Sequence, residues 1–430
     1  MNEFEGLRVT VIGLGLHGGG VATVRYLFRH GARVTITDSK SADRLQHSRS
    51  LIAGMAEREV YGGHSDSDIS GADIVVKNPA VPRDAPILRH ARRIETDLSL
   101  FLSRFRGPLI GVTGSKGKSS VASLIHAGLR TAYPSARLGG NITVSPLSFL
   151  DEIDESTPVV LELSSFQLGD LPLCMSARDG TVRLAPSIAV VTNIYPDHQN
   201  YYRDDMDAYV RDKELIFTSQ SPDDLLILGT TEERWTSRFR SRAPGRVIVC
   251  PPCRDHVEQN RTIARLALEC FGVSGPGVDE ALQTFEGLEH RLEKIASISG
   301  VGFYNDSAAT VPPAAVAALR TLGPNRTVLI VGGTDKHLDL TGFARSISDA
   351  KAIVLLDGSA TRRMKNELDA AGCAYHGPYP DLSQAVDAAA ALASTGDAVC
   401  LSPGAASFEM FENEFERGRE FKRIVSRLRH

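Results

Sequence analysis

The sequence has no long apolar run, no block of like charge and no cluster of cysteines. The absence of an apolar run of bilayer length argues against a transmembrane segment. Net charge is -4 with basic and acidic residues interspersed, which argues against non-specific nucleic-acid binding as the main activity. The first residues, MNEFEG, are acidic and polar and do not resemble a signal peptide. We expect a cytoplasmic protein without membrane insertion or a nucleic-acid partner.

The six cysteines are scattered along the chain, as expected for a reduced compartment. Cys250 and Cys253 form a lone C-P-P-C, but no second pair of ligands is spaced for zinc. We therefore predict two free thiols at this position.

Apolar segments of strand length alternate with glycine turns and helical patterns along all 430 residues, which predicts an α/β fold with parallel sheets. The length favours more than one domain. We place boundaries near residues 94 and 287, giving domains 1–94, 95–286 and 287–430. The segment RRIETDLSLFLSRF, at the first boundary, is predicted to be helical.

The first glycine motif is the G-x-G-x-x-G of Gly13, Gly15 and Gly18, between a predicted strand and a predicted helix. Glycines in such a turn let backbone N–H groups approach a phosphate at the helix N-terminus. Asp38, at the end of the second strand, is placed to hold a ribose or a base. The motif predicts a nucleotide or dinucleotide without saying which one, and the alternatives are an NAD site and a tight turn without ligand.

A second glycine loop, GVTGSKGKSS, also lies between a strand and a helix. It departs from the strict P-loop spacing, which would need glycine at Val112. Its lysine, Lys118, is expected to reach the terminal phosphates of ATP, and Ser119 or Ser120 is expected to bind Mg²⁺.

Polar residues follow several other predicted strands, where α/β sheets bind their ligands. Glu162 in the central block is a candidate Mg²⁺ ligand, and Asp197 and His198 follow the next strand. Asp306 and Lys336 take the same position in the last block. Lys213, Asn260 and Arg291 have no distinguishing signal of their own.

The chain resembles the Mur ligase family, and within it the branch that adds D-glutamate to UDP-N-acetylmuramoyl-L-alanine. The resemblance covers all three blocks and rests on the ordered motifs GSKGKSS, GGNI, LELSSFQL, NIYPDH, GLEHR, NDSAAT and LSPGAASFEMF. It implies a Rossmann-like UDP-binding domain, a central ATP-binding P-loop domain and a Rossmann-like C-terminal domain for the amino acid. The implied reaction is ATP-dependent amide ligation through an acyl phosphate, in peptidoglycan precursor synthesis, with two Mg²⁺ ions. We expect small-molecule substrates and a monomer.

The resemblance also implies roles for individual residues. Lys118, Glu162, His198 and Lys213 would be catalytic. The metal ligands would be Ser119, Glu162, His198 and Lys213, with Lys213 carbamylated. The UDP substrate would contact Gly13, Gly15, Leu16, His17, Gly18, Asp38, Ser39, Asn78, Asn141, Ser164 and Gln167. ATP would contact Gly114, Ser115, Lys116, Gly117, Lys118, Ser119, Ser120, Asn260, Arg291 and Asp306. Glutamate would contact Thr310, Lys336, Ser407 and Phe408.

Two positions depart from the family pattern, and both concern the amino-acid site. Ala308 stands where the motif NDSKAT has lysine, and NEFERG at 413–418 replaces the common NFEERG. Ligation of L-glutamate, or the reaction of another Mur ligase, is therefore an alternative. An NAD-dependent dehydrogenase leaves the second loop unexplained, a folate-type ligase lacks a UDP-binding block, and a non-catalytic nucleotide-binding protein does not need Lys118, Glu162 and His198.

Overall fold

A computed structural model describes residues 3–16, 18–142, 144–174, 185–229, 232–285, 287–335 and 340–428, with only the backbone of 199–200 described. It divides into two compact units, Met1–Phe285 and Glu286–His430. The first unit contains two parallel sheets and the second contains one mostly parallel sheet. The predicted α/β fold is confirmed.

The first sheet has the strand order β3-β2-β1-β4-β5, and all neighbours are parallel. Its strands are β1 (Arg8–Ile12), β2 (Arg33–Asp38), β3 (Arg58–Tyr61), β4 (Ile74–Lys77) and β5 (Ile94–Glu95). Its helices are α1 (Gly19–Arg29), α2 (Gln46–Ser50), α3 (Asp66–Ser70) and α4 (Asp97–Leu102), with 3₁₀ turns at Asp43–Leu45 and Pro86–His90. The chain runs outward from β1 in one direction and then in the other, so the end of β1 is the switch point at which such sheets bind ligands.

The second sheet has the order β11-β10-β9-β6-β8-β7 and is also parallel throughout. Its strands are β6 (Leu109–Thr113), β7 (Arg137–Gly140), β8 (Val159–Glu162), β9 (Ile188–Val191), β10 (Leu225–Leu228) and β11 (Arg246–Val249). Its helices are α5 (Lys118–Leu129), α6 (Ser165–Asp170), α7 (Gln199–Tyr202), α8 (Met206–Glu214), α9 (Glu233–Arg242), α10 (His256–Phe271) and α11 (Pro276–Gln283), with 3₁₀ turns at Pro146–Ser148, Leu150–Glu152 and Leu171–Leu173. β6 lies between β8 and β9, so the segments that follow these three strands meet at one edge.

The third sheet has the order β12-β13-β17-β14-β15-β16, with only the β12–β13 pair antiparallel. Its strands are β12 (Glu293–Ile298), β13 (Val301–Asn305), β14 (Thr327–Val331), β15 (Ala352–Leu356), β16 (His376–Tyr379) and β17 (Ala398–Leu401). Its helices are α12 (Pro312–Leu322), α13 (Phe343–Ile347), α14 (Ser359–Ala370), α15 (Leu382–Leu392) and α16 (Glu414–Arg427), with a 3₁₀ turn at Pro324–Arg326. Strands β14 and β17 are buried along their whole length, as expected for a sheet covered on both faces.

The helix predicted across RRIETDLSLFLSRF is wrong in its first part. Ile94 and Glu95 form β5, the edge strand beside β4. Thr96 then starts α4, because its hydroxyl accepts from Ser99 N–H while the Ser99 hydroxyl accepts from Thr96 N–H. This reciprocal capping places the helix start after Glu95. The division into domains 1–94, 95–286 and 287–430 stays a prediction.

The described residues include no helix that combines the length and the apolar character of a membrane-spanning segment. All six cysteines are free, and the thiols of Cys250 and Cys253 both donate to the carbonyl of Pro251.

Candidate functional site

The first glycine turn leaves β1 at the switch point of its sheet and starts α1. Gly13, Gly15 and Gly18 have φ of 88°, 66° and 83°, in the left-handed region that favours glycine. No side chain caps α1, so the N–H groups of its first turn remain available to an anion. The predicted position of the turn is confirmed, whereas His17 lies outside the described residues.

Asp38 and Asn78 hold this turn in place from the neighbouring strands. Asp38 is buried, and its two oxygens accept from Gly15 N–H at 3.1 Å and from Lys40 N–H at 2.8 Å. The Asn78 amide donates to the carbonyl of Gly13 at 3.2 Å. Both side chains therefore shape the loop itself, a role that the sequence prediction did not include. Leu16 and Ser39 flank the same loop.

The second glycine loop has the same backbone plan after β6. Gly117 has φ 83° and starts α5, which also has no side-chain cap. A Cβ on Gly117 would lie 2.8 Å from Asn260 Oδ1 on α10, so Asn260 packs directly against the loop. The Lys118 ammonium donates to the carbonyl of Ser115 at 3.1 Å, and Ser119 and Ser120 lie in the first turn of α5.

The second loop is also fixed by the segment that follows β9, which the sequence analysis did not foresee. Ser115 Oγ accepts from Tyr195 N–H at 2.9 Å and lies 3.0 Å from the Tyr209 hydroxyl. The N–H of Lys116 donates to Asn193 Oδ1 at 2.8 Å, and the Asn193 amide donates back to the carbonyl of Lys116. These contacts hold the loop in one shape before any ligand binds.

Glu162 ends β8 directly beside the second loop, since it pairs with Val112 of β6. Its side chain is 2 % exposed, and Oε1 accepts from the Asn141 amide at 3.1 Å. Oε2 is buried and has no hydrogen-bond partner among the described residues. A buried carboxylate oxygen without a donor fits a cation ligand, because a bare charge is costly inside a protein.

Lys213, on α8, extends to the same loop. Its ammonium donates to the carbonyl of Gly114 at 2.8 Å and lies 4.6 Å from the centre of the Tyr209 ring. Burial first, and then the charge of Lys118, hold the pKa of Lys213 well below its usual value. The structure thus brings Lys213, which no sequence pattern distinguishes, to the second glycine loop.

Asp197 and His198 follow β9 on the other side of the loop. Burial alone would raise the pKa of Asp197, but the nearby positive charges, that of Lys116 first, bring it below its usual value. The Lys116 ammonium lies 3.3 Å from Asp197 Oδ2. Desolvation lowers the pKa of His198 against the attraction of Asp197, and this favours the neutral imidazole that binds metals.

Ser164 and Gln167, predicted substrate contacts, form the reciprocal cap of α6. Ser164 Oγ accepts from Gln167 N–H at 3.2 Å, and Gln167 Oε1 accepts from Ser164 N–H at 3.0 Å. The S-x-x-Q spacing is a capping signal that the sequence analysis overlooked.

Among the described residues, no three His, Cys, Asp or Glu side chains form a metal-binding cluster, so a metal beside Glu162 would depend on other groups as well.

In the second unit, Asp306 follows β13 and lies beside the end of β17. Its oxygens accept from Leu292 N–H at 3.0 Å and from the Ser402 hydroxyl at 2.6 Å. Burial raises the pKa of Asp306 to about 6, and the charge of Arg291 acts in the opposite direction. The structure therefore brings Arg291 and Asp306 together.

The loop after β17 carries Ser407 and Phe408. Ser407 Oγ is buried without a hydrogen-bond partner among the described residues, and Phe408 is 42 % exposed. Arg417 of α16 is fully buried and donates to the carbonyls of Ala405, Ala406 and Ser307. No sequence signal identified this clamp.

Thr310 lies in the loop after β13, and Lys336 is outside the described residues.

Three family models match successive parts of the chain. Residues 7–98 match "Mur ligase MurD-like, N-terminal domain", 112–262 match "Mur ligase middle domain", and 290–404 match "Mur ligase, glutamate ligase domain". The UDP-N-acetylmuramoylalanine–D-glutamate ligase of Borreliella afzelii (strain PKo) is 39 % identical over 100 % of this chain and 99 % of its own length. The chain belongs to the Mur ligase family.

Other Mur ligases agree with this assignment. The enzyme of the same name from Roseiflexus sp. (strain RS-1) is 40 % identical, covering 98 % of this chain and 99 % of its own. Among solved structures, UDP-N-acetylmuramate-alanine ligase from Thermotoga maritima matches with a TM-score of 0.63 at 18 % identity, covering 98 % and 99 %. This structural match extends the shared fold over almost the whole chain.

Proposed function

We propose that this Mur ligase joins D-glutamate to the alanyl carboxylate of UDP-N-acetylmuramoyl-L-alanine, at the expense of ATP, in peptidoglycan precursor synthesis. The names of full-length relatives at 39 % and 40 % identity support the substrates. The observation that carries the chemistry is the second glycine loop, which has Lys116 and Lys118 within it and Glu162 at the neighbouring strand end. The cytoplasmic location and the monomer stay predictions.

The proposed reaction activates a poor acyl donor and then replaces the activating group. The γ-phosphoryl group of ATP passes to the alanyl carboxylate and gives an acyl phosphate. Lys118 neutralises charge on the group in transfer, and the N–H groups at the start of α5 hold the phosphates of ATP. The glutamate amine then attacks the activated carbonyl, and phosphate leaves with the electron pair of the broken C–O bond.

Mg²⁺ would be held by Glu162, with Ser119, His198 and Lys213 as further ligands. Glu162 Oε2, which has no hydrogen-bond partner in the part of the chain that the structure describes, and the neutral state favoured for His198 fit this role. When bound, Mg²⁺ stabilises negative charge on phosphate oxygens.

Lys213 has the chemistry that carbamylation needs. Only a neutral amine reacts with carbon dioxide, and its lowered pKa favours that form. A carbamate nitrogen keeps one N–H, so the donation to Gly114 is compatible with the modification. With ¹³C-bicarbonate, NMR should show a carbamate carbon that Lys213→Arg removes and Lys116→Arg keeps. Its persistence in Lys213→Arg, or its absence from the native protein, contradicts the modification.

The first glycine turn is proposed to hold the UDP diphosphate, with Gly13, Gly15, Leu16, His17, Gly18, Asp38, Ser39 and Asn78 around the nucleotide. Asn141, Ser164 and Gln167 are proposed for the muramoyl-alanine part. Asn260, Arg291 and Asp306 are proposed for ATP, and Thr310, Lys336, Ser407 and Phe408 for glutamate. The Ser407 hydroxyl supports the last site, because within the described ranges it has no hydrogen-bond partner and so can donate to a carboxylate.

Phosphate release with ATP and UDP-N-acetylmuramoyl-L-alanine tests the proposal, with D-glutamate and L-glutamate compared at equal concentrations. We expect release with D-glutamate only. Release only with L-glutamate would reassign the amino acid, a question raised by Ala308. No release with either contradicts the ligase, and tight NADH binding would replace the UDP site with a dinucleotide site.

A further inference from the structure

Two ion pairs connect the loop after β4 to helices of the second sheet, both within the first unit. Lys77, the last residue of β4, pairs with Asp170 of α6. Arg83, six positions later, pairs with Asp212 of α8. Between them lies Asn78, whose amide contacts the first glycine turn. The loop therefore touches the turn proposed for UDP and is bound at both ends to the ATP-binding part.

The Arg83 pair has a defined geometry. Its Nη1 donates to Asp212 Oδ1 at 3.1 Å, Nη2 donates to Oδ2, and Nε donates to the Tyr201 hydroxyl at 3.2 Å. The Tyr202 hydroxyl donates to the same Asp212 Oδ2 at 2.7 Å. A bidentate arginine–carboxylate pair fixes direction as well as distance. The loop is thus held in one orientation relative to α8.

Gly169 of α6 makes room for this pair. A Cβ at that position would lie 2.6 Å from Asp212 Cγ and would overlap Arg83 Nη2. Arg83 and Asp212 therefore lie against the backbone of the short helix that carries Gln167. We call Arg83, Asp212 and Gly169 the Arg83 clasp.

Asp212 directly precedes Lys213, which donates to the carbonyl of Gly114 in the second loop. The connection from Gly13 to the second glycine loop therefore combines contacts with covalent chain. Asn78 contacts Gly13, the segment 78–83 leads from Asn78 to the Arg83 clasp, and Asp212 is followed by Lys213, which contacts Gly114. The Lys77–Asp170 pair, at 1 % and 2 % exposure, is buried beside this connection. Removing one partner of so buried a pair would leave an uncompensated charge and endanger folding, so Arg83, whose side chain is 30 % exposed, is the better residue to vary.

We propose that Arg83 is a positioning residue for ligation: through the clasp it fixes the first glycine turn relative to the phosphate loop. The inference rests on the proposed function, in which those loops hold the acceptor and ATP. Misplacement of reacting groups by about 1 Å costs on the order of 10²-fold in rate. None of the three residues of the clasp is among those proposed to contact ATP or the acceptor, so its loss should change the relation between the two sites and spare the affinity of each.

The first measurement is steady-state kinetics of the full chain. For Arg83→Ala we expect kcat to fall about 10- to 100-fold, while the KM for ATP stays within about twofold. Gly169→Ala should have the same effect, because its methyl group displaces the pair, and Arg83→Lys should be intermediate. Arg33→Ala is the matched control, since it removes an exposed ion pair with Glu57 on the same sheet. Wild-type kcat in Arg83→Ala, or an equal loss in Arg33→Ala, overturns the proposal.

The second measurement needs no turnover. Calorimetry gives the affinity for ADP in the presence and in the absence of UDP-N-acetylmuramoyl-L-alanine, and the ratio of these two affinities measures the coupling between the sites. In Arg83→Ala this ratio should move toward one, while the affinity for ADP alone and the affinity for the acceptor alone stay unchanged. Coupling lost in this variant, with no phosphate release by the wild type, would support the clasp and contradict the ligase. Phosphate release by the wild type, with kcat and coupling both unchanged in Arg83→Ala, would support the ligase and contradict the role of the clasp.

Discussion

The two glycine turns of the first unit share a backbone plan and differ in chemistry. Each follows the strand at its sheet's switch point, and each starts a helix from a glycine with φ 83° and no side-chain cap. The first, residues 13–20, contains no lysine or arginine, whereas the second, residues 114–120, contains Lys116 and Lys118. The same anion cradle is thus built once without fixed positive charge and once with it.

The acidic residues at the strand ends beside the two turns, Asp38 and Glu162, also differ, in how their carboxylate oxygens are hydrogen-bonded. Asp38 accepts with one oxygen from Gly15 in the glycine turn and with the other from Lys40 in the segment after β2, but Glu162 leaves Oε2 without a hydrogen-bond partner among the described residues. An acid whose two oxygens both accept hydrogen bonds holds the backbone around it, whereas an acid with one oxygen that accepts none is better placed to bind a cation. The proposed tasks of the two turns, binding the nucleotide of the acceptor and transferring a phosphoryl group, thus go with different neighbours around one backbone motif.

The sharpest way to break the comparison is to remove Lys118. Lys118→Ala should lower ligation about 10³-fold, because charge on the transferring phosphoryl group loses its partner. Binding of UDP-N-acetylmuramoyl-L-alanine should survive, as calorimetry can measure. Lys365→Ala, at an exposed site on α14, is the control. Equal loss of ligation and acceptor binding would mean that the two turns do not work as separate sites.

The two acids give the next largest contrast. Glu162→Gln should lower kcat about 10²-fold and move the Mg²⁺ midpoint upward, because a neutral amide is a poorer cation ligand. Asp38→Asn should leave that midpoint unchanged and raise only the KM for the acceptor. The measurement is phosphate release against Mg²⁺ concentration. A shift of the midpoint in both variants would remove the distinction drawn between Asp38 and Glu162.

Matched glycine substitutions compare the turns directly. Both positions have left-handed φ, which costs alanine about 1–2 kcal/mol. In Gly13→Ala the Cβ would also lie 2.8 Å from Asn78 Cβ, and in Gly117→Ala it would lie 2.8 Å from Asn260 Oδ1. We expect roughly tenfold increases in the KM for the acceptor and for ATP, respectively. Crossed effects, with ATP affected by Gly13→Ala, would contradict the assignment.

Asp306 extends the comparison to the third sheet, with the smallest effect. Its folded pKa of about 6 lies above the unfolded value, so the native state binds more protons between those two values. Stability should therefore rise as pH falls, by about 0.8 kcal/mol from pH 7 to 5.5. Denaturant unfolding of the wild type and of Asp306→Asn measures it. Equal pH slopes in the two proteins would mean that Asp306 does not titrate as described.

The sequence predicts those parts of the fold that depend on local pattern. Strand, glycine turn and helix follow one another closely enough to predict the α/β class and both glycine turns. Strand ends identify Glu162, His198 and Asp306, because parallel strands present their carboxyl ends at one edge. Helix α10 ends before Gly272, whose left-handed φ of 89° is a stop signal of the local kind that sequence patterns carry.

Features that depend on distant contacts were not predictable in this way. Lys213 lies 99 positions from Gly114, and Arg417 lies 110 positions from Ser307. Nothing local marks either pair, so Lys213 came only from the family resemblance and the Arg417 clamp was missed. The cap formed by Ser164 and Gln167 was visible in the spacing, but these two residues were considered only as substrate contacts, which the family resemblance implies.

Arg417 also has a consequence for the order in which the protein is made. The loop that carries Ser407 and Phe408 takes its support from α16, the last described helix of the chain. Synthesis proceeds from the N-terminus, so both glycine turns can form on the ribosome long before this loop has its clamp. A nascent chain can therefore form the two turns proposed for nucleotides early, while the loop proposed for the amino acid is completed only when residue 417 has emerged.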